Sequence, residues 1–89
     1  MVYEFLKYPT TVVAMAAEII RVANDYNARK IGNDEIREVL LWYATKHPDI
    51  LFQGADYNRS IKKIIGIRRV RLLDALLDGY QPTLFKGVK

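Results

Sequence analysis

The chain has 89 residues, 51% of them hydrophobic, with 14 Lys/Arg against 10 Asp/Glu and no cysteine. That length gives a single domain, and that hydrophobic share is too high for disorder. Without cysteine there are no disulfides, thiolate nucleophiles or thiolate metal sites, which fits a reducing cytoplasm, and no apolar run approaches the roughly 18 residues a membrane span needs.

Residues 1–9 read as an N-terminal arm, with Tyr3, Phe5 and Leu6 ahead of the punctuation at Pro9. Thr10 or Thr11 then caps a helix over about 10–28, where Val12, Ala16, Ile19, Ala23 and Tyr26 recur at helical spacing and Val13 and Ile20 widen the stripe. Gly32 makes the next turn. Asn33 is a natural N-cap for a helix to about residue 47, and Asp34 and Glu35 complement its dipole. Ile36, Val39, Leu40 and Tyr43 form the core face of this second helix, and Leu41 and Trp42 carry apolarity most of the way round. A helix so broadly apolar is central to a bundle or half of an interface, so Leu41 and Trp42 mark a candidate homodimer contact.

Pro48 stops that helix, and 49–57 reads as a loop whose Ile50, Leu51 and Phe52 plug back into the core. Beyond it, Asn58 or Ser60 caps a segment that one continuous helix fits badly, because its cations would scatter around the whole circumference. Breaking the segment at Gly66 gives two helices, about 59–65 and 67–78, joined by a tight turn. Ile61, Ile64 and Ile65 then form one stripe, and Ile67, Val70, Leu73 and Leu77 the other. The expected fold is all-α: a small compact bundle of three to four helices, with a glycine-broken pair in the C-terminal half and a tail over 80–89.

Charge is segregated along this outline. Residues 1–58 carry six cations and eight acids, whereas 59–71 hold Arg59, Lys62, Lys63, Arg68, Arg69 and Arg71 with no acid. Six uncompensated cations create a potential that attracts phosphate backbones. Three readings are open for them: a nucleic-acid surface, a solvated face, or a site for an acidic protein. The pair also resembles a helix-turn-helix, with apolar residues at Ile61, Ile65, Ile67 and Leu72, although Lys62 stands where that family has a small residue. The second helix reads Arg69-Val70-Arg71-Leu72-Leu73-Asp74, poor in the amides and hydroxyls that read base edges. The pattern therefore favours phosphate contact over base readout.

Chemistry beyond binding finds little support. The single histidine, His47, stands at a helix end before Pro48, and Asp34, Glu35 and Glu38 share one helix start, where they serve the dipole. No residue set has metal-ligand spacing, so no catalytic residue, cofactor or metal is expected. The tail does carry a signal. Gln81-Pro82-Thr83-Leu84-Phe85 resembles the glutamine-to-Leu-Phe peptide by which bacterial replication and repair proteins dock on the sliding clamp, with Pro82 where such peptides usually have leucine. The resemblance implies that Leu84 and Phe85 fill an apolar pocket of the clamp while Gln81 bonds its rim. The alternative is that Leu84 and Phe85 pack on their own domain or on a dimer mate. Together these features point to a non-enzymatic accessory or regulator of DNA transactions, bacterial or phage. The alternative is a homodimeric interaction or inhibitor module that touches no nucleic acid.

Overall fold

Five helices and one small hairpin make up the fold in the computed structural model, which describes residues 3–54 and 56–77. The helices are α1 (Val12–Asn27), α2 (Asn33–Lys46), α3 (Pro48–Leu51), α4 (Arg59–Ile65) and α5 (Ile67–Leu76). Strands β1 (Phe52–Gln53) and β2 (Asp56–Tyr57) pair antiparallel between α3 and α4, Phe52 opposite Tyr57. The all-α expectation holds, with one more helical turn than foreseen. The segment 49–57, expected to be a loop, is instead α3 and the hairpin. Pro48 sets the helical φ of a first turn, and Gly54, at φ 66°, turns the strands. Its apolar residues do plug the core: Leu51 is fully buried, and Phe52 stacks on Tyr57 with ring centroids 5.7 Å apart.

Caps set the helix starts. The Thr11 hydroxyl accepts the N–H of Ala14 at 3.0 Å, and Asn58 Oδ1 accepts those of Ser60 and Ile61. At α2 the cap is Gly32 rather than Asn33. Gly32 N–H donates to Glu35 Oε1 at 2.9 Å, while the Asn33 amide oxygen is taken by the Tyr26 hydroxyl on α1. The core stripe of α1 runs through Met15, Ala16, Ile19, Val22 and Ala23 and leaves Val13 exposed, a rotation from the expected face. On α2 the buried set is Ile36, Val39, Leu40, Tyr43 and Ala44. The stripes of the last pair narrow to Ile61 and Ile65 on α4 and to Val70, Leu73 and Leu77 on α5 and just past it, so Ile64 and Ile67, expected inside, stand outside.

The N-terminal arm is docked on the helices. Residues 3–8 lie over α1 and α2, held by side chains of those helices that bond the arm's backbone. Glu18 accepts the Leu6 N–H at 2.8 Å, and Arg21 donates to Glu4 O at 3.0 Å. Trp42 Nε1 donates to Lys7 O at 2.8 Å, and the Tyr43 hydroxyl donates to Leu6 O. His47, which closes α2 and precedes Pro48, places Nε2 2.6 Å from Lys7 O; a carbonyl only accepts, so Nε2 carries the proton. Phe5 and Tyr8 set their rings edge-on to Trp42. The apolar breadth of α2 thus has a partner within the chain. Leu41 and Trp42 are half-buried, with Trp42 capped by the arm and its ring flanked by Lys7 and Lys46.

The arm's anchors titrate. The hydrogen bond from Arg21 holds the Glu18 carboxyl below its ordinary value of 4.5, assisted by the Leu6 N–H and opposed by burial. A carboxyl depressed in the fold stabilises above its unfolded pKa, and that contribution is lost as pH falls through the folded value. Stability is therefore expected to fall below about pH 5 in an acid titration followed by chemical denaturation. Glu18→Gln should flatten this slope while lowering stability near neutrality by about 1–2 kcal/mol, because a charge-assisted bond is weakened. An unchanged slope would remove Glu18 from that role. On the alkaline side, burial and the Asp25 bond push the Tyr3 phenol up to about 12, and burial raises Tyr43 as well.

Candidate nucleic-acid interface

Gly66 makes the corner on which the basic segment turns. It closes α4, its N–H donating to Lys62 O at 3.0 Å, and opens α5, its carbonyl accepting the Val70 N–H at 3.0 Å. Its φ of 86° and ψ of 162° lie in a region open almost only to glycine. A single residue therefore joins the helices, where a helix-turn-helix uses a turn of three or four. Of the four apolar positions in that resemblance, Ile61 and Ile65 are buried, Leu72 is half-buried and Ile67 is 63% exposed.

The six expected cations fall into two groups. Arg69 turns inward: Nη1 donates to Ile65 O at 3.0 Å, capping the end of α4, and Nη2 reaches Asn24 Oδ1 on α1 at 3.3 Å. Its Nε is buried and, among the described residues, has no partner. Arg69 thus braces the corner instead of facing phosphate, because its position on α5 points it at α1. Lys62 is half-buried and bonds Asp56 of the hairpin at 2.6 Å; that bond holds the Asp56 carboxyl below its usual range. Arg59, Lys63, Arg68 and Arg71 are exposed, and no carboxylate among the described residues pairs with them. Asp74, one turn beyond Arg71, lies instead against the Tyr57 phenol, whose pKa rises through burial first and Asp74 second.

The first turn of α5 carries no acid. Arg68 and Arg69 occupy the positive end of its dipole, and Lys62 and Lys63 lie in the last turn of α4. Helix stability alone would favour carboxylates at the start of α5, whereas Lys62 and Lys63 suit the negative end of α4.

Two further cations stand near this surface that the charge count along the sequence did not single out. Arg68 and Arg69 line a cleft of ≈ 500 Å³ with Asn27 at the end of α1 and Leu72. Asn27 also lines the neighbouring cleft of ≈ 600 Å³ that holds Arg29 and Lys30. The two clefts meet at Asn27, and Glu35 lines the second of them together with Arg29 and Lys30. Backbone geometry brings Arg29 there. Arg29 N–H donates to Tyr26 O and Lys30 N–H to Asp25 O, a Schellman closure with Arg29 at φ 63°. Glycine is the usual residue at that position, which is why the sequence placed the turn at Gly32 instead. An exposed arginine there is a costly conformational choice with no packing return.

Gln81, Leu84 and Phe85 lie outside the described residues. Among the described residues, no three His, Cys, Asp or Glu side chains are grouped to hold a metal ion, and no helix is long and apolar enough to cross a membrane.

A family model described as "Conserved hypothetical protein" matches residues 6–78, and the chain belongs to that family. The matched span takes in all five helices and the α4–α5 corner and stops short of Gln81. No curated protein and no solved structure matches the chain.

Proposed function

We propose that this chain is a non-enzymatic, cytoplasmic accessory protein of DNA transactions that binds nucleic-acid phosphates through the α4–α5 corner. One observation carries the reading: Arg59, Lys63, Arg68 and Arg71 are exposed, without a carboxylate partner among the described residues, on two helices that meet at Gly66. Isolated surface cations are ordinary, but Arg59 and Arg68 stand in the first turns of α4 and α5, where no acid is present and a cation opposes the helix dipole, so an anion is favoured there. Phosphate contact by such a surface is independent of sequence and releases counterions. A repressor-like reading of base edges has less support, because α5 carries no amide or hydroxyl side chain to join its arginines in reading a base sequence.

The chain is expected to bind duplex DNA with an affinity that falls steeply with salt, as measured by fluorescence anisotropy. Lys63→Gln, Arg68→Gln and Arg71→Gln together should weaken binding at least about tenfold and reduce the log–log salt slope by about 3. Binding that ignores both salt and these charges would refute the reading. Arg29→Gly separates folding from binding. It should raise stability by about 0.5–1 kcal/mol, by relieving the left-handed arginine, and still lower DNA affinity.

A tether to a sliding clamp through Gln81, Leu84 and Phe85 belongs to the same proposal, on the strength of the tail's resemblance. Deleting residues 81–89 should abolish retention on immobilised clamp, and retention without them would end that part of it. The competing module, a homodimer through Leu41 and Trp42, has less surface to work with, because the arm covers Trp42.

A further inference from the structure

Two large apolar side chains stand in the open within the positive surface. Ile64, in the last turn of α4, is 42% exposed, and Ile67, the first residue of α5, is 63% exposed, on either side of the Gly66 corner. Neither belongs to the core. The cations bracket them: Lys63 precedes the pair and Arg68 follows it, and Arg71 lies one turn after Ile67 on the same face of α5. The surroundings on the two sides differ. Lys62 is anchored toward the hairpin through Asp56, whereas Arg68 lines the cleft beside Asn27.

Charge narrows what can cover this projection. A second copy would bring like charge against like, which disfavours self-association here. An acidic peptide offers a few carboxylates, yet the exposed cations run from Arg59 and Lys63 on α4 to Arg68 and Arg71 on α5, on both sides of the isoleucines. A regular line of phosphates fits that length better. Duplex DNA offers two such lines, one on each side of a minor groove about 6 Å wide, with a floor into which apolar side chains fit.

From this we infer that Ile64 and Ile67 form a wedge that enters the minor groove of duplex DNA and bends it, while Lys63 and Arg68 hold the flanking phosphates. The inference rests on the nucleic-acid reading above and adds the partner's form, a double strand, and the consequence of binding, a bend. Wedges of this kind partly unstack a base step and kink the duplex by about 20–90°. The wedge sits on the Gly66 corner, which Arg69 ties to the end of α4 and to Asn24 of α1.

The test uses the full chain and an A·T-rich duplex of about 25 bp with a donor and an acceptor dye at its ends, spanning the length over which such bends are resolved. Wild-type protein should raise energy transfer as it binds. The double variant Ile64→Ser/Ile67→Ser, changed only at exposed positions and checked by thermal melting, should bind within about threefold of wild type with an unchanged salt slope and leave energy transfer at the free-duplex value. If wild type binds without raising energy transfer, or if the double variant bends DNA as wild type does, the wedge is overturned and phosphate binding survives. If wild type binds no duplex at all, the nucleic-acid reading falls and the wedge with it. A parallel arm offers vesicles of anionic phosphatidylglycerol in phosphatidylcholine. Vesicle binding that the double variant loses, with no bending of DNA by wild type, would assign the isoleucines to a lipid surface instead.

Discussion

Ile61→Ala is expected to lower the stability of the chain by about 2–5 kcal/mol, measured as a drop in the urea midpoint with an unchanged slope. Ile61 is fully buried and lies on α4, which packs on α1 more extensively than any other two described elements pack together. Alanine would leave a void that Met15, Ile19 and Leu51, all buried in the same core, fill only in part. A domain of this size is stabilised by roughly 4–13 kcal/mol in total, so the substitution removes a large share of it. Ile64→Ala is the matched control. It removes the same atoms three residues along the same helix, but from a side chain already 42% exposed, and should cost under about 1 kcal/mol. Equal losses at the two positions would show that the burial pattern of α4 is wrong, and with it the exposed wedge.

That contrast also shows what the sequence could and could not reveal. Helix periodicity placed α1, α2 and the broken pair within a few residues, because apolar spacing and the caps at Thr11 and Asn58 act locally. It could not separate Ile64 from Ile65 or Ile67 from Val70. The seven residues of α4 are too few turns to fix its rotation, and the choice there was made by the face of α1 against which it lies; on α5 it was made by packing against α4 and α2. Arg69 and Lys62 raise the same difficulty for charge. Along the chain they are indistinguishable from Lys63 and Arg68, and only tertiary contacts with Ile65 O, Asn24 and Asp56 take them out of the exposed set. Arg29 and Lys30 were missed for the converse reason: in the sequence they belong to an acidic half, and only the fold sets their cleft beside the one that Arg68 lines, with Asn27 shared between them. The hairpin over 52–57 was hidden because two-residue strands are too short for alternation to register.

Gly66→Ala should destabilise the chain by about 1–3 kcal/mol, although the added methyl group meets nothing. A Cβ built at Gly66 finds no heavy atom within 4 Å, so the penalty is conformational: an L-residue is forced to φ 86° and ψ 162°. D-alanine at the same position, introduced by chemical synthesis, puts its methyl group on the side that this backbone favours. It should match or exceed the wild-type stability, by up to about 1 kcal/mol, through loss of unfolded-state freedom. If L- and D-alanine were equally harmful, the cause would have to be steric and the geometry of the corner would be wrong. The same pair of variants bears on function. Relief of strain by L-alanine requires the backbone at 66 to rotate, which moves Ile67 and Arg68 relative to Lys63 and Ile64 and pulls on the Arg69 brace. DNA affinity, measured where both variants are still folded, should therefore fall for Gly66→Ala and hold for the D-alanine chain. That outcome would tie the proposed phosphate-binding surface to the geometry of one glycine, beyond the simple count of cations around it.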